Sequence, residues 1–348
     1  MIAAGLEHFL FLSEDGTVWG MGDNHHSVLG VQEQFQTPDV IRTTQGPLPE
    51  IKKVTAGMRH SLFLDIDGNV WACGNNSSGS LGTNSPRNII KDVFKIENVP
   101  KIVDIFAGEK STGLIDERGS VWVCGDNYCC QLGQDKTASS IKVPSKIENI
   151  PPIRIGSMSP TQLVLQDVDD NVWVSGKSGL RPEAIVPSKA ALSFPSMSAL
   201  ECGIASYLFM DQEGIGWTIE NSAVKEIGTP ILTCVSSIAY ASIVVDIDCK
   251  AWVRGDNSCG QLGIDPKVQS DVNEFTPLTN VPPIAHACAG YDSSLLLDTT
   301  GSVWFLGYNP CKESAYEDPS PSKIEGLPKV PLSVNQRAGL HTKSARNI

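Results

Sequence analysis

Seven tryptophans punctuate this chain at Trp19, Trp71, Trp122, Trp173, Trp217, Trp252 and Trp304, with spacings of 52, 51, 51, 44, 35 and 52 residues. They are all the tryptophans the chain has, and each holds the same place in a repeated unit. The phrase around them returns as "EDGTVWGMGDN", "DIDGNVWACGNN", "DERGSVWVCGDN", "DVDDNVWVSGKS" and "DTTGSVWFLGYN". A repeat of this kind governs the whole fold, because each unit must bury its apolar face against the next.

Counting back from each tryptophan shows what the unit is made of. Nine residues before it stand Leu10, Leu62, Gly113, Val164, Leu208, Ile243 and Leu295. Seven before it stand Leu12, Leu64, Ile115, Gln166, Met210, Val245 and Leu297. This alternation predicts a strand. The intervening position is apolar too (Phe11, Phe63, Leu114, Leu165, Phe209, Val244, Leu296), so the strand is expected to be buried on both faces.

Asp15-Gly16, Asp67-Gly68, Arg118-Gly119, Glu213-Gly214 and Thr300-Gly301 then supply the left-handed residue a tight hairpin needs, and Asp170-Asn171 stands in the same place. The Val-Trp strand returns antiparallel. A loop such as "NNSSGSLG", "NYCCQLG" or "NSCGQLG" follows, then a proline-bearing stretch and an Ala-Gly phrase that opens the next unit.

About four short strands per unit, repeated seven times, predict an all-β, seven-bladed β-propeller of four-stranded antiparallel blades. No polar capping repeat suggests an open solenoid instead. The expected units are 2–54, 55–105, 106–156, 157–200, 201–238, 239–287 and 288–335, with a loose tail at 336–348. The first unit opens directly on its Ala-Gly phrase, while "LPKVPLSVNQRAG" near the C-terminus resembles "LPEIKKVTAG" of unit two. A C-terminal strand at Lys329–Val334 is therefore expected beside the first unit, closing the ring. The fifth unit is short and lacks the Asn-x-x-Gly-x-Leu-Gly loop, so a short or three-stranded blade is expected there.

The formal charge of −12 argues against nucleic acid as a partner, since phosphate binding needs clustered Lys and Arg. No apolar run is long enough to span a membrane. The ten cysteines include no Cys-x-x-Cys pair, and a cytoplasmic or nuclear protein is expected. His25-His26 lacks a third metal ligand at useful spacing and reads as a solvated loop. Cys129-Cys130 reads as a turn filler, and Cys73 and Cys124, each two residues after a tryptophan, as packing on the Val-Trp strand. "AGEKST" (107–112) lacks the upstream glycine of a phosphate-binding loop. No motif of bond-making catalysis is present, so no enzyme, cofactor or metal site is expected.

"AGMRHSLFLDIDGNVWACGNNSSGSLG" (56–82) resembles the regulator of chromosome condensation repeat, and the likeness extends over the chain, weakest in units four and five. The resemblance implies a seven-bladed propeller. It also implies a protein-binding role, since the family includes exchange factors for Ran-type GTPases, ubiquitin-ligase substrate modules, a plant photoreceptor and protein inhibitors. All seven tryptophans are used by the repeat, which leaves none for a photoreceptor cluster. The charge of −12 and the absence of a basic tail argue against a chromatin role.

In the exchange factors, residues just after the Ala-Gly phrase engage the GTPase. The matching positions are Glu7, His8, Arg59, His60, Glu109, Lys110, Tyr291 and Asp292. The expected function is thus a monomeric, non-catalytic protein–protein interaction propeller, the alternative being guanine nucleotide exchange on a Ran-type small GTPase. A bland alternative role for His8 and His60 is to hold loops through hydrogen bonds to backbone.

Overall fold

Each Val-Trp segment is the third strand of a four-stranded antiparallel sheet. The computed structural model describes residues 1–30, 35–134, 138–178, 181–204, 206–220, 223–308 and 320–330. These form seven such sheets in chain order, plus a small two-stranded ribbon, Arg42–Thr43 with Gly46–Pro47. Blade 2 is typical, with Ile51–Ala56 innermost, then His60–Asp65, Val70–Asn75 and Ile89–Lys95. Among the described residues no helix is long and apolar enough to cross a membrane.

The second strand is the core of each blade. His60–Asp65, Ser111–Asp116, Gln162–Asp167, Ala241–Asp246 and Ser293–Asp298 are buried at every residue. Both faces pack because each blade is sandwiched between two neighbours. Burying one such Leu, Ile or Phe contributes about 1.5–3 kcal/mol, which is why the apolar pattern ignores the usual in–out alternation.

The hairpin to the third strand is held by an aspartate six residues before each tryptophan from blade 2 onward. The indole N–H of Trp71, Trp122, Trp173, Trp217, Trp252 and Trp304 donates to Asp65, Asp116, Asp167, Asp211, Asp246 and Asp298 at 2.8–3.1 Å. The other carboxylate oxygen accepts turn amides, as Asp116 does from Arg118 and Ser120 at 2.9 and 2.8 Å. Burial pushes these carboxyls up, but the donated bonds more than offset it, and Asp65, Asp116, Asp167 and Asp298 settle below the ordinary carboxylate range. Blade 1 has Ser13 at this position, and its hydroxyl bonds Asp15 and the Thr17 carbonyl.

The turn itself takes positive φ, at Gly68 (89°) for example. Blades 4 and 6 achieve it without glycine, at Asp170 (65°) and Cys249 (61°).

Two expectations change. Blade 5 is complete: Met197–Cys202, Tyr207–Asp211, Gly216–Glu220 and Ala223–Glu226 form a four-stranded sheet whose outer strand is short. Glu220 pairs with Ala223, so the blade keeps its four strands without the long loop that other blades place between the third and fourth.

Blade 1 does not depend on the C-terminus for its innermost strand, which is Ile2–Ala4, three residues against six in blade 2. Of the expected closing strand, Lys329 and Val330 are described and Pro331–Val334 lie outside the described residues, as does the tail 336–348. The Val330 N–H donates to Gly301 O at 2.9 Å. The same bond joins Ile51 to Gly16, Ile102 to Gly68 and Ile153 to Gly119, at the head of each following blade. Val330 thus fills the place missing from the start of blade 1's shortened strand. Its side chain packs with Ile2, Phe9 and Phe11 of blade 1 and with Leu297 and Phe305 of blade 7. Phe9 and Phe305 meet edge to face at 5.2 Å across this seam.

Candidate partner-binding face

The loops joining first to second strands, and those leaving the third strands, emerge on one face, since His60 pairs with Gly74 and His8 with Gly22. Neighbouring Ala-Gly loops are tied to each other. The Leu6 N–H donates to Met58 O at 3.1 Å, and the Met58 N–H to Glu109 O at 3.0 Å. Glycine is required here: a Cβ on Gly57 would stand 2.6 Å from Gly108 O. Three loops are thereby fixed relative to one another.

His8 and His60 contribute almost no exposed surface to this face, and His60 only borders a small cleft in it. Both are 1 % exposed and point into the seam with the next blade. His8 Nε2 lies 3.0 Å from Ser61 Oγ, and His60 Nε2 lies 3.2 Å from Thr112 Oγ1. Each hydroxyl already gives its proton to a carbonyl, Ser61 to Val28 O (2.6 Å) and Thr112 to Ser80 O (2.7 Å). The imidazoles are therefore the donors, in the Nε2–H tautomer. Burial pushes them down to about 3 for His8 and about 4 for His60, so they stay neutral. Their partners are hydroxyls of the adjacent blade. Blade 4 uses the same clamp, with Gln162 accepting from the Tyr207 hydroxyl. The contact surface expected from the sequence is reduced by these two residues.

The other six do stand at this face. Arg59 and Lys110 are exposed, while Glu7, Glu109, Tyr291 and Asp292 are half-buried. Lys110 pairs with Glu109 at 3.3 Å. Burial and then Asp23 raise the Glu7 carboxyl, with Arg59 pulling it back. Burial and then Asp256 raise Asp292. Burial and then Glu109 raise the Tyr291 phenol. Glu7, Asp23, Asp256 and Asp292 thus form an acidic sector from blade 6 round to blade 1, and Arg59 and Lys110 form a basic edge on blades 2 and 3. A small cleft of about 60 Å³ lies between Arg59, Asn75, Ser77, Glu109 and Lys110.

Cys130 takes φ 59°, a turn position shared with Ser27 at 56°. Among the described residues no group of three His, Cys, Asp or Glu could hold a metal ion.

Inside the ring, the innermost strands line a cavity of about 390 Å³ that the sequence reading did not foresee. It holds an ion pair between Lys53 and Asp104 and the carboxyl of Glu201. Burial pushes Glu201 up to about 7, against the pull of Lys53. These residues come from blades 2, 3 and 5, so only the closed ring brings them together.

The family profile described as "Regulator of chromosome condensation (RCC1) repeat" matches residues 2–27, 51–80, 15–64 and 67–115. The matches lie within residues 2–115, and four-stranded blades of the same build continue through the rest of the described chain. The chain is a regulator of chromosome condensation repeat protein. It is 25 % identical over 346 residues to the Xenopus laevis "Regulator of chromosome condensation", covering 84 % of this chain and 80 % of that protein.

Identity to the Saccharomyces cerevisiae "Guanine nucleotide exchange factor SRM1" is 29 % over 169 residues, or 42 % of this chain and 34 % of the relative. A human repeat protein, "Probable E3 ubiquitin-protein ligase HERC3", is 32 % identical over 138 residues, 38 % of this chain, and the match spans only 13 % of the ligase. The crystal structure of Prp20p from Saccharomyces cerevisiae, titled for its binding properties to Gsp1p and histones, superposes with a TM-score of 0.76. Coverage there is 97 % of both chains at 17 % identity, a likeness of fold.

Proposed function

We propose that this propeller is a non-catalytic protein-binding module whose contact face is formed by the Ala-Gly loops. One observation carries the reading: backbone bonds lock the Leu6, Met58 and Glu109 loops into a rigid arc, and that arc presents Arg59 and Lys110 outward beside the acidic sector of Glu7 and Asp292. Variable charged residues on a fixed scaffold suit recognition of another protein. Affinity capture with the intact chain tests it. Arg59→Glu with Lys110→Glu should remove the captured partner while leaving the thermal midpoint unchanged. Capture unaffected by the double reversal overturns this choice of face.

A second reading is guanine nucleotide exchange on a Ran-type small GTPase, favoured by the match to SRM1, whose name states that activity. Exchange works by stabilising the nucleotide-free partner, so it needs a docking face and no bond-making residues. Nucleotide release from a panel of loaded small GTPases decides it. Acceleration that is lost with Asp292→Ala or Arg59→Ala supports exchange, and no acceleration from any of them rejects it.

A further inference from the structure

Blades 1, 2, 3 and 6 each send the loop after their third strand onto the next blade and bury a leucine there. Leu29, Leu81, Leu132 and Leu262 are all 0 % exposed. The receiving wall uses three positions of fixed register. On blade 2 they are Ser61, Cys73 and Val93: Ser61 Oγ and Cys73 Sγ both donate to Val28 O of the incoming loop, and Val93 packs in one cluster with Leu29.

Blade 5 sends no such loop, because its third strand ends at Glu220 and its fourth starts at Ala223. The receiving wall on blade 6 is nevertheless present. Ser242 pairs with Arg254 as Ser61 pairs with Cys73. Phe275 precedes the residue opposite Val253, as Val93 precedes the one opposite Ala72. These three line an open groove of about 230 Å³ with Glu220, Tyr240 and Asp271. Tyr240, 57 % exposed, stands among the Ala-Gly loops at its mouth.

Loss of the loop does not by itself make a groove. Blade 4 also lacks it, with Ser178 followed closely by Arg181. There the three wall positions on blade 5 are Tyr207, Ile219 and Val224, bulky side chains packed into the core between the two blades. At the next seam the wall has kept a small Ser242 and has gained an Arg254 drawn aside: its guanidinium bonds Glu220 at 3.0 Å and lies 5.9 Å over the Phe275 ring. Lys225 also stands 3.6 Å from Glu220. Within the lining Arg254 offsets Glu220 and Asp271 stays at the edge, so the groove offers no excess positive charge to an acidic ligand.

We propose that this groove is a second docking site, which accepts a leucine-type side chain presented by an extended segment of a protein partner. The occupant is argued from the molecule itself: a wall of the same register holds a leucine at four other seams, and Arg254 is held aside by Glu220 and the Phe275 ring, so the fitting complement is an aliphatic side chain. The proposal goes beyond the Ala-Gly face and does not rest on it.

The probe is a synthetic peptide of blade 2's own loop, residues 75–83 (NNSSGSLGT), titrated calorimetrically into the full chain. One-to-one binding is expected, about tenfold or more weaker for the peptide with alanine in place of its leucine. Ser242→Trp should abolish binding, whereas Arg59→Glu with Lys110→Glu should leave it intact. Should Ser242→Trp not fold, grafting the same nine residues between Glu220 and Ala223 should seal the seam, raise the thermal midpoint and remove binding. No binding by the folded chain, equal binding of the alanine peptide, or binding that survives the sealed groove overturns the proposal. A dimer that dissociates when the groove is sealed would make the occupant a second copy of this chain and overturn it too.

Discussion

His60 of blade 2 gives its Nε2 proton to the hydroxyl of Thr112 on blade 3, 3.2 Å away, and Thr112 passes its own proton to Ser80 O, 2.7 Å away, in the blade 2 loop. One hydroxyl therefore ties strand, loop and neighbouring blade together.

Thr112→Val keeps the shape and removes both bonds. His60 Nε2 loses its hydroxyl partner and Ser80 O keeps only the weak Cys124 thiol, so unfolding free energy should fall by about 1–3 kcal/mol. Urea denaturation followed by tryptophan fluorescence measures it. A loss below about 0.5 kcal/mol would mean that water replaces the hydroxyl and that the clamp carries little.

Asp116→Asn tests the indole cap. The amide has lost the charge that accepts Trp122 Nε1–H and two turn amides, and a loss of about 1.5–3 kcal/mol is expected. Because Asp116 sits below its unfolded value, its stabilisation is present above the unfolded pKa of about 4 and disappears as pH falls through the folded one. The gap between wild type and Asp116→Asn should therefore close in acid. Ser13→Asp is the reverse experiment: it offers Trp19 the carboxylate that blade 1 lacks and should raise stability.

Glu201 has the opposite sign. Its folded pKa is raised to about 7, so its contribution is complete below the unfolded value near 4.3 and is lost as pH rises through 7. Denaturation between pH 4 and pH 8 should show stability declining on this limb in the wild type and flattening in Glu201→Gln. Identical slopes would place the Glu201 carboxyl in contact with solvent.

The buried second strand and the hairpin turn were legible because both are local: apolar residues around Leu62 and a glycine at Gly68 report on their own blade. Asp65 was visible in the repeated phrase as well, but its role depends on the Trp71 indole folding back over the turn, and spacing alone does not show direction. The burial of His60 was not legible for a related reason. Its partner Thr112 lies in the next unit, and only the offset between blades decides whether the ring faces solvent or seam. For the fifth blade the short alternative holds and the three-stranded one does not, because the missing loop shortened the unit without removing a strand. The cavity around Glu201 and the groove around Arg254 belong to no single unit, so a reading made one repeat at a time does not reach them.

Among the described residues, no sheet draws strands from both chain ends. Across the described seam the first and seventh wedges meet through interlocking rings and the Val330 side chain, which makes the circle a clasp bracelet rather than a woven band. Among the described residues no segment of chain crosses this seam, so drawing Ile2 and Val330 apart should open the molecule there before any hairpin unzips.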